Sequence, residues 1–255
     1  MIPLVVQLCA LVGGLAAGHL WPRQPGPVWS RDTAINLATG ALLYPIRLGL
    51  GLLGVDTLNV GLIPLGTLGH PALQVVFCFL VLDFTRYWVH YADHRVSWLW
   101  TFHRVHHSTE RIDATAGLRM HVVDFFQLTA IIVVSFGVLF DIRSFAPWAL
   151  PAALVPGILA DAIEHANVRF PLDTAWRRAW FRVFNTPIFH AWHHVRDATL
   201  CDGNYANALP LWDRLFGTEV TRPTPPAEYG LAGDQRLHVS VWGLQRLERE
   251  SGGQT

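Results

Sequence analysis

Long apolar runs with almost no charge constrain this chain more than any other feature of its sequence. Residues 2–20 contain no charged side chain, and residues 33–54 contain only Arg47. Three further hydrophobic runs cover residues 72–89, 122–140 and 145–160. Each run is close to the roughly 20 residues that an α-helix needs to cross a bilayer core. The sequence therefore predicts an all-α, integral membrane helical bundle. Several runs are short or contain proline, so four spans fit the pattern as well as five.

The composition points the same way. The chain is 51% hydrophobic and 15% charged, whereas soluble domains contain about a quarter charged residues. Much of the surface must therefore be solvated by something other than water. The net charge is zero, which argues against a nucleic-acid partner.

The placement of arginine predicts an orientation in the membrane. All nineteen basic residues are arginine, a bias that favours a bacterial origin. They concentrate in residues 21–32, 90–121 and 166–255, whereas the connections 55–71 and 141–144 contain only Arg143. With five spans, the arginine-rich segments share one face, which the positive-inside rule makes cytoplasmic. We expect a bacterial inner-membrane protein with a cytosolic helical cap formed by residues 90–121 and 166–250.

Histidines cluster on this same face. Nine of the thirteen histidines fall into four groups: His90 and His94; His103, His106 and His107; His165; and His190, His193 and His194. Residues three or four apart on a helix point to one side, and neutral imidazole is a common ligand of iron, zinc and copper. Nine ligands exceed the three or four that zinc sites take. The pattern predicts a His-rich site for two metal ions.

The order and spacing of these motifs resemble the fatty acid hydroxylase/sterol desaturase superfamily of membrane di-iron proteins. The similar stretches are DFTRYWVHYADH (83–94), WTFHRVHHS (100–108), RMH (119–121), EHAN (164–167), HAWHH (190–194), NYAN (204–207) and LWDRLFGT (211–218). They span about residues 75–220. The resemblance implies that the whole chain, 1–255, is a single domain of this type.

The resemblance also implies a chemistry. It implies two iron ions, with zinc as a substitute, and O2-dependent hydroxylation or desaturation of a lipid, sterol or fatty-acyl substrate from the bilayer. The nine clustered histidines would be the metal ligands, and no other catalytic residue is implied. The sequence contains no flavin, haem or iron–sulfur motif, so electrons would come from an external ferredoxin, cytochrome or reductase.

Five further residues are candidates for metal ligation or for supporting the ligands. Some relatives have a histidine four residues before the one matched by His165, where this chain has Asp161. His121 belongs to the family pattern without a second histidine nearby. Asp83, Asp197 and Asn204 are placed to hydrogen-bond imidazole N–H groups. Glu164, beside His165, is expected to pair with an arginine.

Two other functions fit parts of the pattern. A zinc-dependent membrane hydrolase or isomerase would also use imidazole, but such sites have fewer histidines and keep a carboxylate. A metal transporter or sensor would place histidines or acids along a path through the spans. Here they gather on one face, which disfavours transport.

Overall fold

The computed structural model describes residues 2–65, 68–197, 199–200, 202–222 and 224–250. Its regular secondary structure is almost entirely helical, as the apolar runs predicted. The elements are α1 (Ile2–Leu20), α2 (Arg31–Leu58), β1 (Ile63–Pro64), α3 (Pro71–Arg95), α4 (Ser97–His107), α5 (Val122–Val133), β2 (Phe140–Asp141), α6 (Ala149–His165), α7 (Ala175–Val183), α8 (Pro187–His193), α9 (Leu211–Phe216) and α10 (Val241–Gln245). A π-helical segment, Val134–Leu139, continues α5.

Four helices are long and apolar enough to cross a membrane in the described part of the chain. They are α1, α2, α3 and the continuous segment Val122–Leu139. The fifth predicted span corresponds to α6, which has only 17 residues. The chain is therefore a helical membrane protein with four full-length candidate spans and one shorter helix packed among them.

Most apolar side chains of α1 and α2 face outward rather than into a core. Only 17% of the apolar window of α1 or α2 is buried. Val12 and Leu53 are 69% and 63% exposed. Contiguous apolar surface of this extent is unfavourable in water. It is the surface expected of helices solvated by lipid.

Two apolar clusters hold the bundle together from inside. The first joins Leu11 of α1 and Tyr44 of α2 to Phe125 and Leu128 of α5. The second joins Cys78 of α3 to the end of α5 and to the first turns of α6. Within the bundle, α1 and α3 both pack on α6, and α2 packs on α5.

The connections show which end of the bundle carries the histidines. β1 and β2 pair in parallel, Ile63 with Phe140, and this pair lies beside the start of α3 and of α6. Both helices therefore run toward the opposite end, where α3 carries His90 and His94 and α6 ends at His165. The short helices α4 and α8 lie across this end and bring in the other histidines.

A buried arginine connects the loop after α4 to the start of α2 by hydrogen bonds and an ion pair. The Arg119 side chain is fully buried and donates to Asn36 Oδ1 at 2.7 Å and Ser108 Oγ at 3.1 Å. It also forms an ion pair with Asp32. Since an uncompensated buried charge is costly, loss of one partner destabilises a protein strongly.

We expect Arg119→Met to lower the free energy of unfolding by about 3–5 kcal/mol, because it removes the counter-ion of Asp32 and the donor to Asn36 Oδ1. Unfolding titrations in mixed detergent measure this change. Arg246→Met, whose side chain is 71% exposed, is the control and should stay within about 0.5 kcal/mol of the parent protein. Equal effects of the two substitutions would contradict the role given to Arg119.

Candidate metal centre

The nine clustered histidines form two adjacent groups at one end of the bundle. In each group, one candidate ligand atom from every residue lies within 4.8 Å of all the others. The larger group, site A, consists of His90, His94, His103, His107 and His193. The smaller group, site B, consists of His106, His165, His190 and His194.

Each H-x-x-H-H motif contributes to both sites. On α4, His103 and His107 are four residues apart and enter site A, whereas His106 enters site B. On α8 and the residue after it, His190 and His194 enter site B, and His193 enters site A. Successive residues on a helix differ by about 100° in direction. Adjacent histidines therefore serve neighbouring sites.

The two sites are close enough to act as one centre. The ring centroids of His107 in site A and His194 in site B are 4.5 Å apart. Those of His103 and His106 are 5.4 Å apart. The two groups of imidazoles therefore share a boundary rather than forming separate sites.

Backbone carbonyls set the orientation of four imidazoles. His90 Nδ1 lies 2.7 Å from the Tyr205 carbonyl, and His193 Nδ1 lies 2.9 Å from the Gly203 carbonyl. In site B, His165 Nδ1 contacts the Asp161 carbonyl and His106 Nδ1 contacts the Arg119 carbonyl. A carbonyl can only accept a hydrogen bond, so Nδ1 is the donor. In a neutral ring this leaves a lone pair on Nε2.

The Nε2 atoms converge on the two sites, and within the described residues they contact no hydrogen-bonding group other than another imidazole. Among the described residues, the buried Nε2 atoms of His90, His103 and His193 have no hydrogen-bond partner. In site B, His190 Nε2 lies 3.0 Å from the Nε2 atoms of both His165 and His194. Converging lone pairs repel each other, and a bound cation removes that repulsion. The donor set therefore fits metal ions.

Burial keeps the rings in their metal-binding form. Removal from water, with the neighbouring His193, lowers the pKa of His103 to about 3. Burial lowers the pKa of His193 to about 4. The same causes hold the pKa values of His106, His107, His190 and His194 well below the ordinary range. The neutral imidazole that coordinates metals is thus the stable form at neutral pH.

Carboxylates lie behind the rings, on their Nδ1 sides. Glu164 Oε2 is 3.6 Å from His190 Nδ1, and Asp93 Oδ2 is 3.8 Å from His103 Nδ1. Asp202 Oδ1 is 3.9 Å from His94 Nδ1. These distances are longer than hydrogen bonds. At this range a carboxylate favours, through its charge, the ring orientation that turns Nδ1–H toward it.

A cavity touches both sites and adjoins a larger apolar cavity between the helices. The inner cavity is lined by histidines of both sites, among them His90, His103, His106 and His165. The larger cavity has about 940 Å³ of space, part of it open to the surroundings, and its walls are mostly apolar side chains of α2, α3, α5 and α6. Arg86 and Asn207 line both cavities, so they lie where the two adjoin.

Asp161 and His121 occupy different positions relative to the sites. The Asp161 carboxylate forms an ion pair with Arg86 at 2.9 Å and lies 4.0 Å from His165 Nδ1, on the side of that ring away from site B. His121 caps the start of α5, and its Nε2 contacts the Gln245 carbonyl. Neither residue belongs to the histidine groups that form sites A and B.

The other three candidate residues support the loop after α8 rather than contacting imidazoles. Asp83 accepts from the backbone N–H groups of Ala208 and Leu209 and from Trp212 Nε1. Asn204, in a left-handed conformation with φ 60°, donates to the Phe189 and Val220 carbonyls. Asp197 caps an exposed turn at Thr199. The loop in turn carries the Gly203 and Tyr205 carbonyls that hold two imidazoles.

The expected pairing of Glu164 with an arginine is wrong. Its Oε2 accepts from Asn185 Nδ2 at 2.7 Å and faces His190. Asp93 was not singled out from the sequence, although it precedes His94 directly. Its Oδ1 accepts from Gln127 of α5, a contact between distant helices that sequence spacing does not reveal.

Comparisons with known proteins agree with this geometry. The family profile described as fatty acid hydroxylase matches residues 75–218. Alkylglycerol monooxygenase of Xenopus tropicalis is 30% identical over 149 residues, 56% of this chain and 29% of that protein. Ornithine lipid hydroxylase OlsE of Rhizobium tropici is 30% identical over 166 residues, 64% of this chain and 46% of that protein. Human alkylglycerol monooxygenase is 33% identical over 144 residues, 55% of this chain and 29% of that protein.

The chain belongs to the fatty acid hydroxylase family, which confirms the resemblance drawn from its histidine motifs. It spans less than half the length of these curated relatives. The matched region contains all nine histidines of sites A and B. No solved structure matches the chain.

We expect Glu164→Leu to weaken metal binding at site B about 10- to 100-fold, because it removes the carboxyl group that lies 3.6 Å from His190 Nδ1. Competition with a graded series of chelators measures the affinity of each site. Glu228→Leu, at an exposed glutamate paired with Arg196, is the control and should leave both affinities unchanged. If site B kept its affinity in Glu164→Leu, the carboxylate would have no part in orienting the ligand.

Proposed function

We propose that this chain is an O2-dependent lipid hydroxylase with a pair of iron ions, one held by site A and one by site B. The observation that carries the proposal is the convergence of nine imidazoles, seven buried and two half-buried, through their Nε2 atoms, on two adjoining points. The names of the relatives, a monooxygenase and a lipid hydroxylase, favour hydroxylation over desaturation.

The iron pair would supply the oxidation of an unactivated C–H bond by O2. The chain's own residues would do the remaining work. The imidazoles would bind the metals, and Glu164, Asp93 and Asp202 would hold the rings in place. The apolar cavity would receive the lipid from the bilayer and exclude water from the reacting carbon. Electrons would come from a separate ferredoxin, cytochrome or reductase.

The proposed setting is the inner membrane of a bacterium, with the metal centre facing the cytoplasm and the chain acting as a single membrane domain. The arginine distribution supports this orientation. In it, the ends of α3 and α6 and the short helices α4 and α8 lie at the cytoplasmic boundary of the bilayer.

We expect His193→Ala to empty site A and His106→Ala to empty site B. Each variant should retain about half of the parent's bound iron, because each removes a ligand from only one site. Each should lose lipid oxidation, because the proposed reaction needs both metals. Elemental analysis and mass spectrometry of lipids, with +16 marking hydroxylation, measure the two effects. His238→Ala, at a half-exposed histidine outside both sites, should change neither. Full turnover by either ligand variant would refute the proposal.

Gly157 lines the apolar cavity, and a substitution there tests whether the lipid occupies it. A Cβ there would meet only Asn207 Nδ2, at an ordinary 3.6 Å, so Gly157→Ala should retain near-parental activity. Gly157→Leu should place its side chain in the lipid's path and lower kcat/KM at least about tenfold, with both irons retained. Steady-state kinetics with the iron content of the same preparations measure this. Equal activity of the leucine and alanine variants would show that lipid does not pass Gly157.

A further inference from the structure

The apolar cavity contains a group of polar side chains that the proposed metal chemistry does not use. Gln7 of α1 and Tyr44 and Arg47 of α2 line this cavity, in walls otherwise made mostly of leucine, isoleucine and phenylalanine side chains. Arg47 is the only charged residue between residues 33 and 54. All three residues lie within candidate membrane spans.

None of these three side chains has a hydrogen-bond acceptor within the described part of the chain. Gln7 is 5% exposed, and its buried Nε2 is without a partner. The Tyr44 hydroxyl makes no hydrogen bond to a described residue. The Arg47 guanidinium lies 5.8 Å from the centre of the Tyr44 ring, a cation–π contact that leaves its N–H groups available.

The other charges of the cavity are already compensated. Arg86 pairs with Asp161 at 2.9 Å. Asp83 accepts two hydrogen bonds from the loop after α8 and one from Trp212 of α9. Arg47 is therefore the cavity's one cation without a counter-ion among the described residues. An ionisable side chain inside a membrane is costly and marks a functional site by default.

We propose that Arg47, together with Tyr44 and Gln7, binds an oxyanion of the lipid, a carboxylate or a phosphate, inside the cavity. The guanidinium fork matches the geometry of both groups, and charge-assisted hydrogen bonds are the strongest available in a dry site. A neutral hydrocarbon would leave all three donors unpaired. The inference rests on the proposed function, because the lipid bound here would be the one that the metal centre oxidises.

The test is equilibrium binding of three lipids that share a sixteen-carbon chain. Hexadecanoic acid offers a carboxylate, hexadecyl phosphate offers a phosphate, and methyl hexadecanoate offers no anion. Competition against radiolabelled hexadecanoic acid is measured on the iron-loaded full chain in detergent at pH 8.5. At least one of the two anionic lipids should bind at least about tenfold more tightly than the ester.

Substitutions of the hydrogen-bond donors in the cavity show which side chains produce the preference for anionic lipids over the ester. Arg47→Gln should bring the binding of the anionic lipids down to that of the ester, and Arg47→Lys should retain part of the preference. Tyr44→Phe preserves the packing volume and should reduce the preference less than Arg47→Gln does. It also serves as the second test if Arg47→Gln does not fold. Arg143→Gln, at an exposed arginine far along the chain from the cavity, is the matched control and should bind all three lipids as the parent protein does.

The binding results distinguish a carboxylate from a phosphate ligand. They also distinguish failure of the oxyanion site from failure of the proposed function. Tighter binding of hexadecanoic acid would indicate a fatty-acid carboxylate, and tighter binding of hexadecyl phosphate would indicate a phospholipid-type headgroup. Ester binding as tight as that of both anions, or an unchanged preference in Arg47→Gln, would overturn the inference. Binding does not require turnover. Anion preference without oxidation of any lipid would therefore refute only the proposed function, and oxidation without anion preference would refute only the oxyanion site.

Discussion

The structure depends on holding nine neutral imidazoles with their lone pairs pointed at each other. This arrangement is unfavourable for a protein alone, because buried nitrogens need partners and like dipoles repel. Backbone carbonyls at Asp161, Arg119, Gly203 and Tyr205 take up the N–H side of four rings. The other five rings are positioned by the backbone that carries them and by packing against neighbouring side chains. Cations bound at the centre would complete the set of interactions.

The membrane bundle provides the rigid support that this arrangement requires. Exposed apolar side chains of α1, α2 and α3 face lipid, whereas Gln7, Asn36 and Asp83 of these helices are buried. Asp83 and Arg86 of α3 contact the loop after α8 and the end of α6. Helix α3 therefore carries two of the histidines near its end. It also binds the loop after α8, whose backbone carbonyls orient imidazoles of site A.

The division into two sites explains how a short motif would serve the proposed pair of metal ions. In H-x-x-H-H, the first and last histidines are four residues apart and share a direction, and the middle one points to the neighbouring site. Two such motifs supply six rings, and the ends of α3 and α6 supply the other three. The clusters adjoin at ring distances near 5 Å, so a group placed in the inner cavity can face both.

The sequence by itself determined the class of fold and the nine histidines, because hydrophobic run length and helical spacing are local properties of the chain. It also identified Asp83 and Asn204 as residues of interest, although their partners in the structure are backbone groups and Trp212 rather than imidazoles. Only the tertiary structure decided which histidine joins which site, that Glu164 faces His190 rather than an arginine, and that Gln7, Tyr44 and Arg47 share a cavity. These facts depend on how distant helices pack and on which backbone carbonyls meet the rings, and neither is encoded in the spacing of residues along one helix.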